Sequence, residues 1–418
     1  MKAMRMSYLD KNLIKSAALI GIGSVTAQAL ALCFMLVLAR IYSRSDYGLI
    51  SYTISIGTLA STFVAAGFPA SLVRFLSKYN DDQEKIDIYF SNILTVTLGI
   101  LVLVSAASAV IYRFDVGIIS IIIGYSIVYI YLGVIRGFIK YWKITLFNVL
   151  GNLFKIIVLV IASYVFLIKS PLFVVLLYAF GGVFALAILE MRNRTCLHYC
   201  RKYVSKDTLK EISAFSIPVM ISMLAFNALS SIPIMAIKSN QGYDLVALYS
   251  VAMTFTVIFS FIPTAITTIT MPKISRIVDK QRRIEYTAQS LRIVLVAEIV
   301  LYVLIFLFGK SVLVIAFTEK YVESYPILLV LSIGAVLASL RNVFCSLWEG
   351  SGHPIIATYD IVSASLVCIL LSLILVPQMG PIGAAYGYSS GLLIAVFVDL
   401  IFWIKYKNLN MLSFEEDI

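Results

Sequence analysis

Residues 144–166 read ITLFNVLGNLFKIIVLVIASYVF. The run is long enough to cross the roughly 30 Å hydrocarbon core of a bilayer as one helix. Lys155 stands near its middle. A lysine at that depth costs about 3 kcal/mol on insertion-based scales. It lies about eleven residues, roughly 16 Å at the helical rise, from either end, too far to snorkel easily to water. Asn148, Asn152 and Lys155 follow at i, i+4 and i+7, and Ser163 continues near the same side. A polar stripe of this kind faces a helix bundle's interior or water rather than lipid. The stretch therefore predicts a membrane span with one functional face.

The rest of the chain has the same character. Of its 418 residues 61% are apolar and 13% charged, about half the charged share of ordinary soluble domains. We predict twelve spans: 13–39, 48–73, 89–111, 117–138, 144–167, 171–190, 212–237, 245–269, 290–308, 326–348, 358–377 and 383–404. The fold class is all-α and polytopic. The apolar run after the basic N-terminus is too long for a cleaved signal peptide and reads as the first span. Most of the 33 lysines and arginines fall on one side if the N-terminus is inside, Lys143 among them. The outer side receives Arg40, Arg44, Arg113, Lys169, Lys238, Lys310 and Lys320. By the positive-inside rule both termini are cytoplasmic.

A polar break near 191–211 separates residues 1–190 from 212–418, six spans each. YSRSDYGLISYTIS (42–55) is echoed by NQGYDLVALYSVAM (240–253). Each echo precedes a span, a proline and a basic stretch. Two halves entering in the same orientation predict a pair of pseudo-symmetric six-helix bundles around a central cavity.

Other spans carry polar groups. Tyr125, Tyr129 and Arg136 share one side of the fourth; tyrosines suit sugar rings, offering an apolar face and a hydroxyl. Arg341 lies in the inner half of the tenth. Lys155, Arg341, Arg136, Asn148, Asn152, Tyr125 and Tyr129 are the candidate substrate-binding set. Glu298, Asp360 and Asp399 are the acidic candidates for ion coupling, since a buried carboxyl can carry a proton. Glu298 is the better placed; Asp360 and Asp399 fall near cytoplasmic ends, where solvent is at hand. A cation inside the bundle suits an anionic substrate, and an ammonium binds phosphate well.

Some chemistries find no support. The chain has no GxxxxGK[ST] phosphate loop. CLHYC (196–200) matches no common zinc spacing and reads as a cytosolic loop. The cysteines show no disulfide framework. The longest outer segment, 309–325, is short for a membrane polymerase or ligase. No cofactor and no nucleic acid is expected; the net charge of +11 points to anionic lipid.

LARIYSRSDYGLISYTIS (38–55) and AAGFPASLVRFLSKY (65–79) resemble the opening of the polysaccharide-exporter flippases of the multidrug/oligosaccharidyl-lipid/polysaccharide superfamily. FSIPVMISML (215–224), VALYSVAMTF (246–255) and PIGAAYGYSSG (381–391) are similar to its later spans. Twelve spans fit the O-antigen flippases; lipid II flippases usually have fourteen. The resemblance implies translocation of an undecaprenyl-pyrophosphate-linked sugar unit across a bacterial inner membrane, with polysaccharide polymerase machinery as a partner. It also implies lumen-facing cations, for which Lys155 and Arg341 are the candidates. SSIPIMAIK (230–238) lacks the acidic residue relatives often carry there, which weakens an ion-coupling role at that place. The alternatives are a cation-coupled drug or solute antiporter of the same superfamily, and a membrane polymerase or ligase.

Overall fold

The structure is a computed structural model describing residues 2–138, 141–192 and 197–408. Among the described residues it is all-helical. Fourteen α-helices follow in order: α1 (Lys2–Ile41), α2 (Arg44–Ala65), α3 (Phe68–Lys78), α4 (Gln83–Ile111), α5 (Val116–Gly137), α6 (Tyr141–Tyr164), α7 (Pro171–Arg192), α8 (Lys206–Gln241), α9 (Tyr243–Phe255), α10 (Phe261–Arg276), α11 (Lys280–Phe317), α12 (Tyr325–Ser351), α13 (Pro354–Met379) and α14 (Pro381–Asn408). They supply 12 stretches long and apolar enough to cross a membrane, at the predicted places. α2 with α3, and α9 with α10, are each a predicted span broken in two.

Contacts group residues 29–231 into one unit, and 1–28 with 232–418 into another. α8 runs unbroken through 231 and already begins at Lys206, so the last part of the expected 191–211 linker is helical.

In the first unit α5 is central, packing on α2, α3 and α7, while α6 lies on α7. The cause of the break after α2 is local. Ala66 and Gly67 take the left-handed conformation, with φ of 43° and 75°. Pro69 then opens α3, a position where its missing N–H costs nothing. A Cβ on Gly67 would stand 2.2 Å from the Ser216 carbonyl oxygen. Beside it the hydroxyls of Ser71 and Ser216 meet at 2.6 Å. The glycine is thus required by backbone conformation and by close approach to α8. Asp82 caps α4 by accepting from Lys85 N–H. The Lys85 ammonium beside it, and then that N–H, hold the Asp82 carboxyl below its ordinary range.

One face of α4 also fastens the segment ahead of α8. Asp87 accepts from His198 N–H at 3.0 Å, with the His198 ring at 3.3 Å. Ser91 accepts from Cys200 N–H. Asn92 accepts from Ser205 N–H and donates to Tyr203 O, at 3.0 and 2.8 Å. The side chain of Asn92 thus completes a backbone that has no strand to pair with. Cys196 lies outside the described residues. Among the described residues no cluster of three metal-ligating groups occurs.

In the second unit α13 packs along α14, and α12 contacts α14, α10 and α11. A 3₁₀ turn at Thr256–Ser260 separates α9 from α10. Gln28 belongs to this unit, accepting from Ser260 Oγ at 2.7 Å and donating to Thr264 Oγ1 at 3.4 Å. The outer segment expected at 309–325 is mostly helix: α11 continues to Phe317, and a 3₁₀ turn covers Glu319–Ser324. The Tyr325 hydroxyl donates back to Phe306 O at 2.7 Å, tying the start of α12 to the body of α11.

Candidate substrate site

Lys155 projects from α6 toward α7. Its ammonium lies 4.8 Å from the centre of the Tyr178 ring and 5.7 Å from that of Phe34. Gly181, one turn beyond Tyr178, lets the stem pass: a Cβ there would come within 2.6 Å of Lys155 Cγ. Tyr178 stacks on Tyr125 of α5 at 5.6 Å and 16°. Tyr125 meets Tyr129 edge-on at 5.9 Å. The result is a half-buried cation on an aromatic wall built by α1, α5, α6 and α7. Among the described residues no acidic side chain pairs with it. Contact with aromatic faces is worth about 0.5 to 2 kcal/mol, which holds the ammonium without cancelling its charge. Such a site suits an anion attached to a sugar: the rings take the sugar's C–H faces, and the ammonium takes the charge.

Of the candidate residues, Lys155 is linked to Tyr125 and Tyr129 through Tyr178. Asn148 and Asn152 lie one to two turns along α6, and Asn152 donates to the Asn148 carbonyl at 3.0 Å. Arg136 is exposed in the last turn of α5, three helical turns from Tyr125, or roughly 16 Å, and stands apart from the cluster. Arg341 corrects its expectation as a cation open to substrate. It is buried, donating to Asp360 Oδ1 at 2.8 Å and to Ala357 O at 3.2 Å. The guanidinium is committed to a carboxylate one helix away.

The acidic candidates are fully buried. Solvent at the cytoplasmic ends was the expectation for Asp360 and Asp399, but both have no exposed surface, because α12, α13 and α14 close over them. Glu298 on α11 is equally enclosed, and among the described residues neither of its oxygens has a hydrogen-bond partner. The Ser339 hydroxyl beside it donates instead to Ala335 O or Phe259 O.

Tyr178 and Phe34 escape a sequence reading because an aromatic in an apolar run ordinarily means packing. The signal for Tyr178 is its place in LLYAFGG: the one hydroxyl in its run, beside paired glycines that admit a neighbour's side chain. Lys143 is a second surprise. Placed by its charge in an inner loop, it is fully buried in α6, with its ammonium 2.9 Å from Glu190 Oε1. The Tyr131 hydroxyl donates to the same oxygen. These three tie α5, α6 and α7 together below the aromatic wall.

Comparison with known proteins agrees with this architecture. The capsular polysaccharide biosynthesis protein CapF of Staphylococcus aureus is 23% identical over 400 residues, covering 91% of this chain and 96% of that one. Among solved structures, the lipid II flippase MurJ in an inward closed conformation superimposes with a TM-score of 0.73 at 15% identity, over 95% of this chain and 89% of that one. An inward-facing multidrug resistance MATE family transporter of the MOP superfamily gives 0.64 at 16% identity, over 97% and 95%. The profile of the family described as Polysaccharide biosynthesis protein matches residues 13–278. The chain thus has the fold of MOP-superfamily transporters, and it belongs to the polysaccharide biosynthesis protein family.

Proposed function

We propose that this protein is a flippase carrying a polyprenyl-pyrophosphate-linked oligosaccharide from the inner to the outer leaflet by alternating access. The observation that carries the reading is Lys155: a cation at mid-span depth, on an aromatic wall, with no acidic partner among the described residues. A cation there repels the cationic substrates of a drug antiporter and attracts an anionic glycan lipid. Membership in a polysaccharide biosynthesis family and the likeness to a lipid II flippase support it; the likeness to MATE transporters fits the antiporter equally well. The work is transport, without a bond made or broken. Tyr125, Tyr129 and Tyr178 offer sugar-stacking faces, and Asn148 and Asn152 polar contacts along the same helix. The polyprenyl tail stays in the bilayer. Glu298, buried without a hydrogen-bond partner among the described residues, takes and releases the coupling proton.

The test is complementation in the host. Deletion is expected to abolish surface polysaccharide, wild type to restore it, and Lys155→Ala at matched membrane levels to leave the lipid-linked precursor facing inward. Normal export by the alanine variant removes Lys155 from the site. Intact surface polysaccharide in the deletion strain, with no second transporter, overturns the flippase reading. Efflux of cationic dyes by the purified protein would establish the antiporter instead.

A further inference from the structure

A second buried polar cluster lies in the unit formed by 1–28 and 232–418, and transport of a glycan lipid does not account for it. Asp399 on α14 accepts at Oδ1 from the Trp348 indole N–H at 2.7 Å. Among the described residues its buried Oδ2 accepts no hydrogen bond. What Asp399 faces is another carboxylate, Asp360 on α13. Asp360 in turn accepts from Arg341 at Oδ1, and its Oδ2 lies 3.9 Å from the Cys345 thiol. Both aspartates and Trp348 have no exposed surface.

Counting charge across the trio decides its chemistry. One guanidinium offsets one carboxylate. The second carboxylate would leave a net negative charge in a dry interior, which costs several kcal/mol. The other groups nearby do not relieve it. On α12 they are the Cys345 thiol and the exposed Glu349 carboxylate; on α14 it is the neutral Tyr388 hydroxyl. Two carboxylates sharing one site do not both ionise. The orphaned Asp399 Oδ2 shows where the proton belongs, because as a hydroxyl it gains the acceptor it lacks.

We propose that Asp399 and Asp360 share one proton, carried on Asp399 Oδ2 and donated to Asp360, and that this makes the α12–α13–α14 cluster a proton-binding site. With the proton the trio is neutral and Asp399 bridges Trp348 to Asp360. Releasing it to water leaves two facing carboxylates and one guanidinium, so α14 is pushed from α13. The site is a proton-operated clasp, and it stands whatever the transported molecule is.

Infrared difference spectroscopy of the purified protein in neutral lipid vesicles at pH 7 tests it without substrate. Wild type is expected to show the carbonyl stretch of a buried carboxylic acid, shifted in deuterium oxide. Asp399→Asn, which keeps the acceptor for Trp348 and a donor toward Asp360, removes that band. Asp360→Asn also removes it, since Asp399 then pairs ionised with Arg341, and this variant decides the matter if the first does not fold. Glu298→Gln removes the other buried carboxyl, so the band that remains in it belongs to the aspartate pair, and the two aspartate variants are read in that background. A spectrum without the band in the Glu298→Gln protein, or a band that survives Asp399→Asn in that background, overturns the proposal. A band lost in Asp399→Asn but kept in Asp360→Asn overturns the sharing. A failure of glycan-lipid transport in cells leaves these outcomes untouched.

Discussion

At the residue scale the proposed chemistry rests on a single charge. Lys155 stands out in the sequence because a lysine eleven residues deep is costly to place there. Its aromatic partners do not, because Tyr178 and Phe34 come from helices whose order in space no spacing reveals. Lys155→Arg is expected to retain part of the export that Lys155→Ala loses, since it keeps the charge but not the compact ammonium. Tyr178→Ala should cost tenfold or more in export rate, and Tyr178→Phe far less, if the ring face is what the substrate meets. Both are read as precursor sidedness at equal protein levels. Lys143 shows the opposite limit. Its charge suggested a loop, yet the pair with Glu190 and Tyr131 buries it. Lys143→Ala leaves the Glu190 charge half-stranded and should destabilise the first unit by about 2 kcal/mol, less than a fully buried pair would, because Glu190 keeps some solvent. A lowered thermal midpoint in detergent is the check.

At the scale of elements, hydropathy placed all twelve apolar stretches because the bilayer imposes length and apolarity together, but the helices run past the predicted bounds, as where α11 covers Lys280–Phe317 against the predicted 290–308. Hydropathy could not locate breaks inside a span. The turn at Ala66–Gly67 lies within an unbroken apolar run, and only the glycine–proline spacing marks it. Gly67→Ala forces a side chain into left-handed backbone and against the Ser216 carbonyl, so a loss of about 2 kcal/mol or more is expected, seen as reduced yield of folded protein. The segment fastened to α4 was equally hidden, since hydrogen bonds from Asp87, Ser91 and Asn92 to a distant backbone follow no period. Asn92→Ala should free the Arg201–Tyr203 turn and speed tryptic cleavage there several-fold relative to wild type, with span-internal sites unchanged.

For the molecule as a whole, charge asymmetry predicts the sidedness. Tags at either end are expected to be protected from external protease in intact cells and cut in inverted vesicles; a tag cut from outside reverses the topology. The chain is also divided in a way that the six-plus-six repeat did not suggest. Its first 28 residues share a unit with the last 187, through contacts such as those of Gln28 with Ser260 and Thr264. This has a consequence in time. A ribosome adding about 5 to 20 residues each second makes Gln28 roughly ten to fifty seconds before Ser260 exists. Residues 29–231 can complete their contacts in that interval, while the start of the first helix waits in the membrane with its amide unmatched. The earliest part of the protein to be made is among the last to find its place.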